Sequence, residues 1–180
     1  VHRRCDEPMF SISNAIAYDH MMVHSKPAIV SNLPPSSWID VDNISPEGNW
    51  IPSEGTALRQ LLFLLKSKEI ASDDIFLISP FRDVVKHLRL IGRELKLDQK
   101  KIGTVHTTQG KEAKVVILVL GGGKEGAKDW AALKPNLLNV AVSRAKHRLY
   151  VIGAKKDWAR RQYFDVLTRQ LDAFPEQQQW

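Results

Sequence analysis

A dense group of polar side chains occupies residues 102–112, which read IGTVHTTQGKE, directly before the apolar run Val115–Leu120. A second polar group, around Arg144, closes the apolar run Leu137–Ala145 just before Leu149–Ile152. Hydroxyl, amide and guanidinium groups at the ends of buried strands suit phosphate oxygens, and a carboxylate can accept hydrogen bonds from ribose hydroxyls. We therefore expect an open α/β sheet with its ligand at one edge.

The chemistry that these groups could support is nucleotide hydrolysis, but only in part. Hydrolysis needs a phosphate cradle, a metal ion, a positioned water and cations that neutralise charge on the γ-phosphoryl group. The chain lacks G-x-x-x-x-G-K-[ST], and the GGGK at Gly121–Lys124 has the wrong spacing and predicts a mobile loop instead. We expect this chain to be inactive alone and to supply cations across a domain interface.

Composition narrows the class of protein. The 180 residues, 43% hydrophobic and 26% charged, are typical of one globular domain. A net charge of +6 favours a polyanionic partner. Cys5 is the only cysteine, which excludes an internal disulfide and fits a reducing compartment. No apolar run approaches the roughly 20 residues that cross a bilayer, so we expect a cytoplasmic protein without membrane contact.

The elements that must position the polar groups follow from hydrophobic periodicity. Strand-like runs alternate with helical ones, which predicts right-handed β-α-β units and a mostly parallel sheet. The predicted strands are Trp38–Val41, Asp74–Ile78, Val115–Leu120 and Leu149–Ile152. The predicted helices are a short one with Met9, Ile12 and Ile16 inward, one that begins at Ser53-Glu54, and the runs Phe81–Leu97, Leu137–Ala145 and Lys155–Leu171.

Several of these segments also resemble helicase motifs. TVHTTQGKEAKVVIL resembles motif V of the superfamily 1 helicases, and NVAVSRAKHRLYVIG resembles their motif VI. ISPFRDVV resembles the strand-to-helix segment of motif IV, and HRRC at His2–Cys5 resembles the motif that opens the second domain. The resemblance implies a three-layer α/β/α RecA-like, P-loop NTPase-like domain with a mostly parallel sheet. Residues 1–180 would be one C-terminal helicase domain from a longer chain.

The resemblance implies two catalytic arginines. Arg144 matches the motif VI arginine finger, and Arg4 matches an arginine that reaches the γ-phosphate. Arg3 stands where the family often has an aromatic residue for the adenine, and a guanidinium plane can also stack on a base. Without the resemblance, Arg144 would be read as a surface residue and HRRC as a basic chain end.

The resemblance also implies nucleotide contacts from motif V. Glu112 would accept hydrogen bonds from the ribose hydroxyls, as carboxylates do in dinucleotide folds. Gln109 and Gly110 would lie between nucleotide and nucleic acid, with Lys111 beside them. The cofactor implied is ATP with Mg²⁺, bound jointly with the missing first domain. The alternative is that Glu112 forms a solvent-exposed ion pair with Lys111 or Lys114.

A third group of residues could hold a nucleic-acid strand, because hydroxyl and imidazole donors suit phosphate oxygens. Ser79, at the junction between strand and helix, either binds a phosphate or only caps the helix. His106 is either a phosphate-binding or a plain structural residue. The residues assigned to nucleic acid are Ser79, Pro80, Arg82, Thr104, His106, Thr107 and Thr108.

The sequence thus predicts the second motor domain of an ATP-dependent superfamily 1 helicase or translocase. Its partners would be an upstream RecA-like domain of the same chain and single-stranded nucleic acid, DNA rather than RNA. The alternative is a non-catalytic nucleic-acid-binding module that kept the RecA-like fold. A scaffold domain with a basic surface, in contrast, would not bind single strands even at low salt.

Overall fold

The computed structural model describes residues 7–17, 32–107 and 112–173. Arg3, Arg4 and the run from Thr108 to Lys111, which includes Gln109 and Gly110, lie outside the described residues. The predictions for these six residues therefore stay predictions.

A sheet of six parallel strands forms the centre of the described part, in the spatial order β3-β2-β4-β5-β1-β6. The strand β2, the run Val115–Val119 of β4 and the run Leu149–Gly153 of β5 are buried and mostly apolar, as expected for a parallel sheet covered on both faces, whereas the first half of β5 carries the partly buried Lys146, His147 and Arg148. The strands are β1 (Ser37–Asp40), β2 (Ile75–Ser79), β3 (Ile102–Thr104), β4 (Ala113–Val119), β5 (Ala145–Gly153) and β6 (Asp172–Ala173).

Helices cover the sheet in two groups, which completes the three-layer α/β fold and confirms the predicted class. The helix α1 packs on α5 and α7, while α2 packs on α3. The apolar stripe of α2, including Leu58, Leu61 and Leu65, is buried as its spacing predicts. The helices are α1 (Met9–Ala17), α2 (Pro52–Ser67), α3 (Arg82–Glu94), α4 (Ala127–Ala132), α5 (Pro135–Ser143), α6 (Lys155–Trp158) and α7 (Phe164–Gln170).

The prediction of one helix over Lys155–Leu171 is wrong. The segment forms α6 and α7, and between them Tyr163 has a φ of +70°, a left-handed conformation that interrupts a right-handed helix. The rings of Trp158 and Phe164 lie 4.5 Å apart across this break, so packing on the core takes the place of helical continuity.

Two further elements depart from the sequence-based expectations. The short helix α4 lies in the segment between β4 and α5, which the sequence had indicated to be an irregular interruption. The helix α5 ends at Ser143, and Ala145 already belongs to β5. Within the described ranges, no helix has the length and apolar character needed to cross a membrane.

Candidate nucleotide and nucleic-acid sites

The predicted polar residues divide between two opposite edges of the sheet, so the expectation of a ligand at one edge is corrected. Ala113 pairs with Ala145 where β4 and β5 begin, and Ser79 pairs with Thr104 where β2 and β3 end. All strands run in the same direction, so the starts share an amino edge and the ends share a carboxyl edge. Thr104 thus lies at the carboxyl edge, and Glu112, directly before Ala113, lies at the amino edge.

Arg144 lies at the amino edge, as the C-cap of α5. It is only 8% exposed and makes contacts within the domain. Its N–H donates to the carbonyl of Ala141 at 3.3 Å, and its own carbonyl accepts the N–H of Ala113 at 3.1 Å. The first residue of β4 is thus bonded directly to Arg144, which brings the two motif-like segments together.

Glu112 precedes β4 at the same edge and forms an ion pair with Lys146. Its Oε2 lies 3.4 Å from Lys146 Nζ, and both side chains are partly exposed. Lys114, one of the partners considered from the sequence, pairs instead with Asp74 at 3.1 Å. Partly exposed pairs of this kind contribute little stability, so Glu112 can exchange Lys146 for another partner at a small cost.

At the carboxyl edge, Ser79 braces a turn rather than facing solvent. Its side chain is fully buried, and its Oγ accepts the N–H of Phe81 at 3.3 Å. The burial of Ser79 disfavours direct phosphate binding, and the alternative from the sequence, a cap on the helix, is also not observed, because the N-cap of α3 is Phe81 and has no side-chain cap. Pro80 is also buried, whereas Arg82, in the first turn of α3, is exposed. Arg82 is the residue that this turn offers to a phosphate.

Beside this turn, the end of β3 carries a small hydroxyl network. The N–H of Thr107 donates to Thr104 Oγ1 at 3.4 Å, and Thr107 Oγ1 donates to the carbonyl of Thr104 at 3.0 Å. His106 and Thr107 are exposed. The structure thus brings Thr104, His106 and Thr107 to the edge that also carries Arg82.

A buried carboxyl group, which the sequence indicated only as part of the start of a helix, holds the loop after β4. Glu54 of α2 is fully buried, and its Oε1 accepts the N–H of Gly121 at 3.0 Å. Burial raises the pKa of Glu54 to about 8, although the Gly121 N–H and the charge of Lys128 act in the opposite direction. Gly121 has a φ of +61° that glycine tolerates.

Asn49 completes this attachment of the loop. Its carbonyl accepts the N–H of Gly122 at 3.0 Å, and its side-chain oxygen accepts the N–H of Lys124 at 3.3 Å. The backbone N–H of Asn49 donates in turn to Asp83 at 2.9 Å. Burial favours a higher pKa for Asp83, but the Asn49 hydrogen bonds and the charge of Lys124 outweigh it and hold the pKa below its usual value. The glycine loop is therefore anchored, contrary to the expected mobility.

An apolar groove of about 580 Å³ lies elsewhere, lined by Leu62, Phe63, Leu95 and Leu97 among others. It contains none of the residues predicted to bind nucleotide or nucleic acid.

The fold and these motifs define a class: the second RecA-like domain of the superfamily 1 helicases. Residues 4–156 match the model of a family described as an AAA domain. This match covers most of the chain, and the chain belongs to that family.

Two relatives named as DNA helicases are similar to parts of the chain. The chain is 25% identical over 158 residues to the DNA replication ATP-dependent helicase/nuclease DNA2 of Gallus gallus, covering 85% of the chain and 16% of the relative. It is 38% identical over 90 residues to the DNA polymerase alpha-associated DNA helicase A of Saccharomyces cerevisiae, covering 49% of the chain and 13% of the relative. The chain thus spans less than a fifth of either relative.

A solved structure of the C-terminal domain of a possible DNA helicase from Lactobacillus plantarum WCFS1 is 14% identical to the chain. Its TM-score is 0.48, and the match covers 85% of this chain and 88% of that one.

Proposed function

We propose that this chain is the second motor domain of an ATP-dependent superfamily 1 helicase or translocase. It would supply arginines to ATP bound by a first RecA-like domain and would hold single-stranded nucleic acid, DNA in preference to RNA. The observation that carries the proposal is the backbone hydrogen bond between Ala113 and Arg144, which brings two segments with helicase-like sequences to one edge of the sheet. The relatives named as DNA helicases support the choice of DNA.

The groups at the amino edge fit part of ATP. Arg144 offers a guanidinium for phosphate oxygens, and Glu112 offers a carboxylate for ribose hydroxyls. The chain has no phosphate loop, so the phosphates and Mg²⁺ would be held mainly by the first domain. Arg144 already makes contacts within its own domain, so ATP would have to replace some of them. Arg3, Arg4 and the run from Gln109 to Lys111 complete the proposed nucleotide site.

The carboxyl edge would hold the strand. Arg82, Thr104, His106 and Thr107 offer donors for phosphates, which position a strand without reading its sequence. Thr108 is proposed with them, and Ser79 and Pro80 shape the turn. Domain closure on ATP at one edge and reopening after hydrolysis would then shift the grip of the other edge along the strand.

The decisive experiment measures ATP hydrolysis, with and without single-stranded DNA, in a protein that carries both RecA-like domains. Arg144→Ala is expected to slow turnover by about 10³- to 10⁵-fold, the range for arginine fingers in phosphoryl transfer. Nucleotide affinity should change far less, because the finger acts on charge that develops in the transition state. Arg169→Ala is the matched control, since Arg169 is exposed and pairs with Asp165 of its own helix.

Equal turnover in wild type and Arg144→Ala would mean that Arg144 takes no part in hydrolysis. A wild-type protein that binds single strands but does not hydrolyse ATP would instead be the non-catalytic binding module. Binding itself should weaken as salt rises, by roughly 0.7 log units per log unit of salt for each phosphate neutralised on a single strand. A flat salt response would contradict both nucleic-acid functions.

A further inference from the structure

Trp130 of α4 is unusually exposed for a tryptophan in this domain. It is 43% exposed, whereas Trp38, Trp50 and Trp158 are buried. Its ring centroid lies 5.8 Å from that of Phe81, with the two planes tilted by 38°. Phe81 directly follows the Ser79-Pro80 turn, so Trp130 extends the carboxyl edge beyond the residues already proposed to bind a strand. A residue that served only to fill the core would be covered.

One cation lies over this exposed ring, and others lie in the same segment of the chain. Lys134 Nζ lies 4.5 Å from the Trp130 ring centroid. Beside α4, a polar cavity of about 320 Å³ is lined by glycines of the loop, by Lys124, Lys128 and Arg161, and by Glu125. Of the acidic residues in the segment, Asp129 is paired with Arg161 at 3.1 Å, and Glu125 is exposed. The surface therefore combines an aromatic face with an excess of positive charge.

The ring and the cations belong to one anchored surface. Lys128 Nζ donates to the carbonyl of Gly122 at 2.7 Å. A Cβ at Gly122 would lie 2.9 Å from Lys128 Cγ and 3.6 Å from the Phe81 ring, so the loop packs closely on both. Because β4 lies next to β2, and β2 next to β3, the ends of these three strands follow one another at spacings of roughly 4.8 Å. Trp130, on the helix that follows β4, contacts Phe81, which follows β2.

We propose that Trp130 is a stacking platform for one base of a single-stranded nucleic acid, with Lys134 and the cations of the polar cavity binding the adjoining phosphates. This deepens the proposed function and rests on it. A tryptophan face stacks on any base, and lysines neutralise phosphates without reading sequence, so the contact is sequence-tolerant. It lengthens the strand path from the ends of β3 and β2 to the segment after β4.

The test compares two single strands of equal length, an oligothymidine and one with abasic sites throughout, each bound by the 180-residue chain at fixed low salt. Trp130→Ala is expected to weaken binding of the oligothymidine by about 5- to 100-fold. Its effect on the abasic strand should be close to zero, because that strand keeps the phosphates but has no base to stack. Trp130→Phe should retain most of the affinity, and Trp130→Leu should not.

Two controls separate stacking from other causes. Leu133→Ala removes an exposed apolar side chain just after the same helix and should leave both affinities unchanged. Lys134→Gln should weaken both strands alike and reduce the salt slope by about 0.7. Thermal unfolding of each variant checks that the packing on Phe81 survives.

The outcomes distinguish this proposal from the proposed function. If Trp130→Ala binds the oligothymidine as wild type does, or weakens both strands equally, stacking is wrong and Trp130 instead contacts a neighbouring domain or supports Phe81. If the wild-type chain binds neither strand even at low salt, the nucleic-acid function itself fails, whatever Trp130 does.

Discussion

The amino and carboxyl edges of the sheet are held together in different ways. At the carboxyl edge, the glycine loop after β4 is anchored by backbone hydrogen bonds to the buried Glu54 and to Asn49. At the amino edge, the motif-like residues Glu112 and Ala113 are held by a partly exposed ion pair between Glu112 and Lys146 and by the backbone hydrogen bond between Ala113 and Arg144. Buried bonds are costly to break, whereas surface pairs exchange readily.

This difference suits two tasks. A surface that holds a strand benefits from being formed before the strand arrives, because less ordering is required on binding. An edge that meets nucleotide from another domain must instead release its own contacts when the domains close and restore them when they open. On the proposed function, the carboxyl edge is thus the preformed surface that binds the strand, and the amino edge is the part whose contacts change when ATP binds.

Gly121→Ala should show the largest loss of stability, because Gly121 lies at the point where the loop after β4 is attached to Glu54 and Asn49. A Cβ there would lie 2.6 Å from the Asn49 carbonyl oxygen and from a methyl group of Val84, and the φ of +61° disfavours any side chain. We expect the free energy of unfolding, measured with denaturant, to fall by about 2 to 4 kcal/mol. Gly126→Ala is the matched control.

Gly126 has a φ of +75° but no heavy atom within 4 Å of an added Cβ. Its substitution should therefore cost only the conformational part, about 1 to 2 kcal/mol. Equal losses for the two variants would show that the loop is not held by its contacts, and the contrast between the edges would be lost.

The pH dependence of stability tests the same anchor. The pKa of Glu54 rises to about 8 in the folded state, so between about 4.5 and 8 the folded chain retains a proton that the unfolded chain has released. The stability that Glu54 contributes is therefore full below pH 4.5 and is lost as pH rises toward 8, with a slope of at most about 1.4 kcal/mol per pH unit. In Glu54→Gln this slope should disappear, while the side-chain oxygen can still accept the Gly121 N–H.

Asp83 should give a pH dependence of stability opposite in sign to that of Glu54, so Asp83→Asn separates the two carboxyl groups. The pKa of Asp83 is lowered on folding, so its stabilisation is present above its ordinary pKa of 3.8 and is lost in more acidic solution. Asp83→Asn should therefore remove a loss of stability that wild type shows only below about pH 3.8, and it should keep the Glu54 slope. Between pH 4 and 9, the difference in the free energy of unfolding between wild type and Glu54→Gln should change with pH, because only Glu54 titrates differently in that range. A flat difference would mean that Glu54 is ionised in the folded domain.

The sequence predicts the buried strands well and the division between edges poorly. Long apolar runs such as Val115–Leu120 indicate central parallel strands, since few other environments accept them. The sequence could not show which polar residues after Ile102 lie at which edge of the sheet. Their assignment depends on recognising β3, which has only three residues.

Glu54 shows why the anchor was also missed. A glutamate in the first turn of a helix is common on exposed surfaces, where it interacts with the helix dipole. Its burial follows from the position of α2 over the end of β4, and that position is a property of the tertiary structure. Trp130 is similar, because nothing in its neighbouring residues distinguishes an exposed ring from a packed one.

The smallest expected effect on stability belongs to the amino edge and completes the comparison. Replacing either Glu112 or Lys146 with alanine should change the free energy of unfolding by less than about 1 kcal/mol, because their ion pair is partly exposed.

In a protein with both RecA-like domains, however, Glu112→Ala should weaken ATP binding by about fivefold, which corresponds to the loss of one hydrogen bond of about 1 kcal/mol. Lys146→Ala, the matched control, should leave ATP affinity unchanged or raise it, since it frees the carboxylate for the ribose. If both variants weaken ATP binding equally, the ion pair and not the carboxylate supports the site, and the amino edge would be as fixed as the carboxyl edge.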